Sequence, residues 1–209
     1  MEFTSTFKDE FDRLLHWRRD VRRFKTTPVP EAEIEYLLQA AGAAPSVGLS
    51  EPWRFVRVES QAARAAIREN YAASNAAALQ RYSGADAEHY ASLKLAGLDA
   101  APVQLAVYCD DGDDKGKGLG QATMPQTRAY STVCAIMQLW LAARTRGIGV
   151  GWVSILDVER VQVALQVPAD WTFIAYLCIG YPQEEHSDAE LERFGWEPRA
   201  HVAHRVMRV

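Results

Sequence analysis

The chain has 209 residues, of which 48% are hydrophobic and 24% charged, and its formal net charge is -4. That length suits one domain with a substantial core, and the composition is ordinary for a globular protein. The mildly acidic balance excludes the global basic field that holds nucleic acid or an anionic membrane, so a basic cluster here has to act locally, on one small anion.

Residues 6–17 set Phe7, Phe11, Leu14 and Leu15 at helical spacing, which predicts a helix that delivers an arginine-rich run at its C-terminal end. A second helix follows over 28–45, with Pro30 near its start, acids in its first turn, and Gly42 and Pro45 closing it. Period-two alternation in WRFVRVES predicts a strand over 53–60. The Ala-rich stretch 61–98 reads as two helices broken at YSGAD and is the expected insertion or lid. Next come a buried strand over 101–110, a Gly- and Asp-rich loop, and a long apolar helix over 127–147 capped by Gly147. A strand over 148–155, a short helix with Asp157 as N-cap, and a strand over 171–182 complete the core. The polar tail from residue 185 is expected to wrap over a surface or a partner. Strands separated by helices predict an α/β or α+β domain spanning 1–209, built on one central sheet.

Other features narrow the class. The opening residues lack the apolar core of a signal peptide, and no apolar run approaches a membrane span, so the expected location is cytoplasmic. Cys109, Cys134 and Cys178 are odd in number, far apart and set in apolar segments, which predicts buried free thiols in a reducing compartment. His201 and His204 lack Cys or carboxylate partners, and no metal site is expected. GKGLG lacks the Lys-Ser/Thr ending of a P-loop and sits beside Asp110, Asp111, Asp113 and Asp114, which would repel phosphate. GIGVGW has the wrong spacing for the dinucleotide fingerprint and follows a helix.

HWRRDVRRF, residues 16–24, gathers Arg18, Arg19, Arg22 and Arg23 around Asp20. One reading is a charged helix end that offsets the helix dipole. The other is an anion site with an acid inside it: Arg18 and Arg22, four apart on one helical face, would grip a phosphate, and Asp20 would have its pKa lowered by the neighbouring charges. AAPSVGLSEPW is either a plain helix-to-strand connection or a loop whose Ser46 and Gly48 let a planar ligand approach the backbone. Ser154 in GWVSI is either an ordinary strand hydroxyl or a donor at the mouth of a site where the sheet ends.

In this order, RRDVR, APSVG…EPW, SLKL and MPQ…YSTVCAIMQLWLAAR…GVGWVSI closely resemble the nitroreductase-like flavoproteins, and among them the BluB type, the 5,6-dimethylbenzimidazole synthases of cobalamin biosynthesis. The resemblance runs from about Trp17 to Trp196. It implies an α+β fold, an α/β sandwich with a central mixed sheet flanked by helices and a helical lid insertion at 61–98. It also implies a homodimer with FMN sites at the subunit interface. There reduced FMN is a substrate, fragmented with molecular oxygen to 5,6-dimethylbenzimidazole and erythrose 4-phosphate, and a separate flavin reductase supplies it. By the same resemblance Arg18, Arg19 and Arg22 would hold the flavin's phosphate and polar edge, with Arg199 as a further phosphate contact. Val21, Pro45, Ser46, Gly48 and Gln126 would line the flavin, and Leu95 would belong to the lid. Ser154 would hydrogen-bond near N5, and Asp20 would be the acid/base group, because rearomatisation requires protons to leave carbon and no arginine can accept them.

The chain departs from the family's pattern at three places. GLSEPW stands where GFMQPW is expected, which puts a charge at Glu51. MPQTR stands where NPQMD is expected, with Met124 and Arg128 replacing polar and acidic residues, and the lid reads RYSG from Arg81. Two other readings remain beside the synthase: an NAD(P)H-dependent reductase that retains FMN as cofactor, and a non-catalytic flavin-binding protein.

Overall fold

The computed structural model describes residues 2–93, 96–200, 206, 207 and 209, so the expectations for Leu95, His201 and His204 lie outside the described residues. Helices α1 (Ser5–Trp17) and α2 (Glu31–Gly42) precede strand β1 (Trp53–Arg57). Helices α3 (Gln61–Leu79), α4 (Gly84–Ser92) and the short α5 (Gly97–Ala100) lead to β2 (Val103–Asp110). Then come α6 (Thr127–Thr145), β3 (Gly149–Val153), α7 (Val158–Leu165), β4 (Trp171–Gly180) and the one-turn α8 (Glu190–Arg193). Two caps are those the sequence predicts: Asp157 accepts from Arg160 N, and Gly147 takes a left-handed φ of 69° after α6. Ser60, expected at the end of a strand, instead caps α3 by accepting from Ala63 N. No described helix is long and apolar enough to cross a membrane.

The strands form one sheet in the order β1-β2-β4-β3, and every ladder is antiparallel. A mixed sheet was the expectation. The helices between strands suggest parallel crossovers, but the α3–α5 run and α7 leave and re-enter the sheet between neighbouring antiparallel strands. Helix α6 does cross over, yet β4 inserts between the two parallel strands it joins. Among the described residues, parallel pairing is confined to a single bridge, Asp20 with Val150.

Helices cover both faces, so β2 is apolar at nearly every position instead of alternating with polar residues. Val103, Leu105 and Val107 of β2 pack with Leu177 and Ile179 of β4 beneath α2 and α6. Ala106 and Tyr108 join Tyr176, Cys178 and Val161 on the face covered by α3 and α7. Helix α6 is apolar around most of its girth. Its inner side buries Ala135, Ile136 and Leu139, while Tyr130, Val133 and Met137 face outwards with Cys134. Cys134 therefore corrects the expectation of three buried thiols: all three are free, but only Cys109 and Cys178 are enclosed. Helix α1 has no buried residue, and the apolar face that predicted it leaves Phe7, Phe11 and Leu15 exposed, with Phe3 exposed just ahead of the helix.

The arginine-rich run is not helical. Arg18 is already extended (φ -61°, ψ 122°), so Arg18 and Arg22 do not share a helical face. Sheet pairing takes over instead. Asp20 bridges Val150, Val21 N donates to Val150 O at 3.0 Å, Phe24 bridges Pro182, and Lys25 N donates to Tyr181 O at 2.8 Å. The approach is possible because β3 is glycine-rich. A Cβ on Gly151 would stand 2.1 Å from Val21 O, and one on Gly149 would stand 2.7 Å from Val21 Cγ2. GIGVGW thus has a use other than nucleotide binding: it is the bed on which the Asp20 segment lies. Phe24, fully buried, is wedged against Gly97 and Gly180. Gly151→Ala should lower stability by about 1–3 kcal/mol as the Val21 backbone is pushed off the strand, read as a fall in the thermal midpoint.

Candidate active site

Where the Asp20 segment, the end of β3, α3, α4 and the tail converge, they enclose a cavity of about 210 Å³. Asp20 and Arg22 enter it from the paired segment, and Trp152 and Ser154 from the end of β3. Tyr71 and Asn75 reach it from one face of α3, four residues apart, as helical periodicity requires. Tyr90 and Leu93 close the α4 side, and Leu191 and Trp196 come from the tail. The tail is held on α4 by aromatic contacts, with Trp196 edge-on to Tyr82 (5.6 Å between centroids) and to His89 (5.4 Å).

Asp20 is closely flanked by protein, yet 39% of its side-chain surface remains exposed. Its Oδ1 accepts a hydrogen bond from Trp152 N at 2.9 Å, and its Oδ2 lies 3.5 Å from Arg22 Nε. Burial raises the carboxyl pKa, and the Trp152 N–H and Arg22 oppose the rise without overcoming it. This reverses the sequence expectation of a lowered pKa. The expectation counted the arginines, but most of their charge is spent elsewhere. Arg23 pairs with Glu184 (2.6 Å) and Glu190 (3.4 Å), Arg22 also reaches Glu190 (3.8 Å), and Arg19 donates to the carbonyls of Arg18 and Ser187. The acidic tail is thereby clamped onto the basic segment.

Arg18 differs from its neighbours. It stands 5.0 Å over the Trp140 ring and forms no ion pair with a described carboxylate. Burial lowers its pKa, Asp20 opposes the shift, and Arg199 adds to it. For Arg19 burial likewise comes first, followed by Arg199 and Arg18. Arg18, Arg19 and Arg199 thus bring like charges together, an arrangement an anion between them would relieve.

The other expected residues stand elsewhere. Ser46 Oγ accepts from Glu51 N at 3.1 Å, and Val47 N donates to Ser131 Oγ at 3.0 Å, so the loop after Pro45 is fastened to the start of α6. Gly48 (φ 59°) faces the carbonyls of Leu119 and Gly116, 2.9 and 3.0 Å from where a Cβ would be. Gln126 caps α6 and lines a separate open depression with Asp111, Asp113 and Thr172. Pro45, Ser46, Gly48 and Gln126 do not line the Asp20 cavity of the same chain, and Val21 spends its backbone and side chain on β3. The departures at GLSEPW and MPQTR stay local. Glu51 pairs with Lys115, Met124 is exposed, and Arg128 is buried, donating to the Asp110 carbonyl and to Gln121 Oε1. Sequence reasoning missed Tyr71, Asn75, Tyr90, Trp196 and Glu190. The available signal was in α3, where Tyr71 and Asn75 interrupt a run of alanines at a spacing of four.

Comparison with known proteins fits this arrangement. The sequence model of the Nitroreductase family matches residues 15–181. A 5,6-dimethylbenzimidazole synthase of Rhodospirillum rubrum is 56% identical over 197 residues, covering 94% of this chain and 93% of the relative. One from Rhodobacter capsulatus is 47% identical, covering 94% and 95%. Among solved structures, oxidised iodotyrosine deiodinase bound to FMN and 3-iodo-L-tyrosine superposes with a TM-score of 0.74 at 25% identity, over 95% of this chain and 97% of that one. The chain belongs to the nitroreductase family of oxidoreductase-type enzymes, and within it stands beside relatives named 5,6-dimethylbenzimidazole synthase.

Proposed function

We propose that the chain fragments reduced FMN with molecular oxygen, forming 5,6-dimethylbenzimidazole and erythrose 4-phosphate. The observation that carries this reading is Asp20, a carboxylate on the floor of a largely apolar cavity, beside Ser154, with its pKa raised by burial. A redox enzyme that merely passes hydride through a flavin has no use for such a group. A reaction that breaks carbon–carbon bonds and restores aromaticity does, because a base must take protons from carbon, and a carboxyl shifted towards neutrality gives them back more readily.

The residues fit FMN. Arg18, Arg19 and Arg199 would hold its phosphate, and the cavity with Arg22 at its rim would take one end of the ring system. When bound, reduced FMN supplies both the electrons that activate oxygen and the carbon skeleton of the product. Asp20 holds and moves the protons, its position fixed by the Trp152 N–H. Ser154, just past the end of β3, offers an unspent hydroxyl to the ring. Helices α3 and α4 with Trp196 act as a lid that excludes water. In this reading the lid shuts out a nicotinamide, and a separate flavin reductase supplies the reduced flavin. We place the reaction in the cytoplasm, which suits the free thiols.

A homodimer completes the site in this reading. The loop 45–48 and Gln126 do not reach the cavity of their own chain, and a second copy could bring them there. The exposed apolar faces of α1 and α6 suit a self-complementary interface.

Aerobic incubation with FMN and a separate NADH-driven flavin reductase should yield a product with the chromatographic retention and mass of 5,6-dimethylbenzimidazole. Asp20→Asn should lower the yield at least about 100-fold, the usual scale of lost acid–base catalysis, while FMN binding survives, and Ser154→Gly should lower it less. FMN recovered intact from the wild type would favour the reductase or the non-catalytic reading.

The raised pKa of Asp20 also bears on stability. Between the unfolded and folded pKa values the folded chain holds the proton more tightly, so stability falls as pH rises through that window and stays reduced above it. Asp20→Asn should therefore raise the thermal midpoint by a few degrees near pH 8, with the gain vanishing below about pH 4, where the carboxyl is protonated in both states. Melting curves across that range test it.

A further inference from the structure

We propose that Tyr71 is a substrate-orienting residue, a phenol on the α3 wall of the cavity that donates a hydrogen bond to an acceptor on the edge of the bound ring. The assignment rests on the reading of the cavity as a flavin site, and it adds a contact that the sequence does not reveal.

The polar groups of the cavity are mostly spent on one another. Asp20 takes the Trp152 N–H and faces Arg22, and Arg22 also faces Glu190. Tyr90 donates its hydroxyl proton to Asn75 Oδ1 at 2.8 Å. Among the described lining residues, two hydroxyls remain without a protein partner, those of Ser154 and Tyr71. Tyr71 lines the cavity, and a phenol with no protein partner there is free to donate to a bound ring in place of water. Burial raises the pKa of Tyr71, with Tyr90 adding to the shift and Arg22 opposing it, so the phenol keeps its proton and acts as a donor. Carbonyl oxygens and imine nitrogens at the edge of a planar heteroaromatic ring are the complementary acceptors.

The phenol is also held in register with Ser154. Asn70, next to Tyr71 and buried, donates to Asp157 O at 2.8 Å and accepts from Asp157 N at 2.8 Å, which pins α3 to the loop three residues beyond Ser154. One turn along α3 from Tyr71, Asn75 secures α4 through Tyr90. Two short links thus fix Tyr71 against both β3 and the lid, which is the rigidity an orienting contact needs. The cavity, about 210 Å³, is smaller than the ~300–1,000 Å³ of whole-ligand pockets, so it receives the ring end while the phosphate stays with Arg18, Arg19 and Arg199.

Tyr71→Phe in the full chain removes the hydroxyl and keeps the ring. Titration with oxidised FMN, followed by flavin fluorescence, should show binding weakened ~3–10-fold. At saturating FMN the visible absorption band of the bound flavin should shift relative to wild type, a signature that a change in stability alone would not produce. Binding within twofold of wild type together with an unshifted band would overturn the assignment. If the wild type forms no benzimidazole while Tyr71→Phe still weakens and shifts bound FMN, this inference stands and the proposed reaction falls. If the product forms normally and the variant binds FMN unchanged, this inference falls alone. A wild type that binds no FMN overturns both.

Discussion

The site depends on one close approach, that of residues 20–24 to the glycine edge of β3. Val21 N reaches Val150 O, and the Val21 carbonyl occupies the space a side chain on Gly151 would need. Phe24 anchors the far end with a fully buried ring, worth roughly 1.5–3 kcal/mol of apolar burial. Just ahead of these fixed points Asp20 is itself bridged to Val150, and its Oδ1 meets the Trp152 N–H of the same strand. The carboxylate is therefore positioned by backbone pairing, which is stiffer than any ion pair along a flexible arginine.

The charges around it divide their work. Arg22 and Arg23 engage Glu184 and Glu190 and so fasten the acidic tail over the segment. That docking brings Leu191 and Trp196 over the cavity, where aromatic contacts with α4 hold them. Arg18, Arg19 and Arg199 bring like charges together, with Arg199 also reaching Glu192 at 3.8 Å. Burial lowers the pKa of the first two, and mutual repulsion adds to the effect. The arginines around one acid thus do two jobs: Arg19, Arg22 and Arg23 close the chain on itself, and Arg18 keeps its charge unpaired among the described residues.

The departures at Glu51, Met124 and Arg128 touch neither Asp20 nor Ser154. Glu51 finds Lys115, and Arg128 sinks beneath the loop after β2 and satisfies backbone and amide acceptors there. They belong to the region of Ser46, Gly48 and Gln126, which stands apart from the cavity within one chain. The identity to the synthases of Rhodospirillum and Rhodobacter spans both regions.

The sequence by itself determined most of the element order and the caps at Asp157 and Gly147. These are local properties, written in periodicity, cap chemistry and motif. It did not determine the antiparallel sheet, because the same strand–helix–strand pattern serves a crossover or a return. Nor did it determine that Cys134 faces outwards, since α6 is apolar on more sides than the core can cover. It placed Arg18 and Arg22 on a helical face because propensity carries no information about the β3 edge that captures them. The sign of the Asp20 pKa shift was decided by tertiary structure alone. Adjacent arginines can be counted in a sequence, but burial, and the distant carboxylates that occupy those arginines, exist only once the chain has folded.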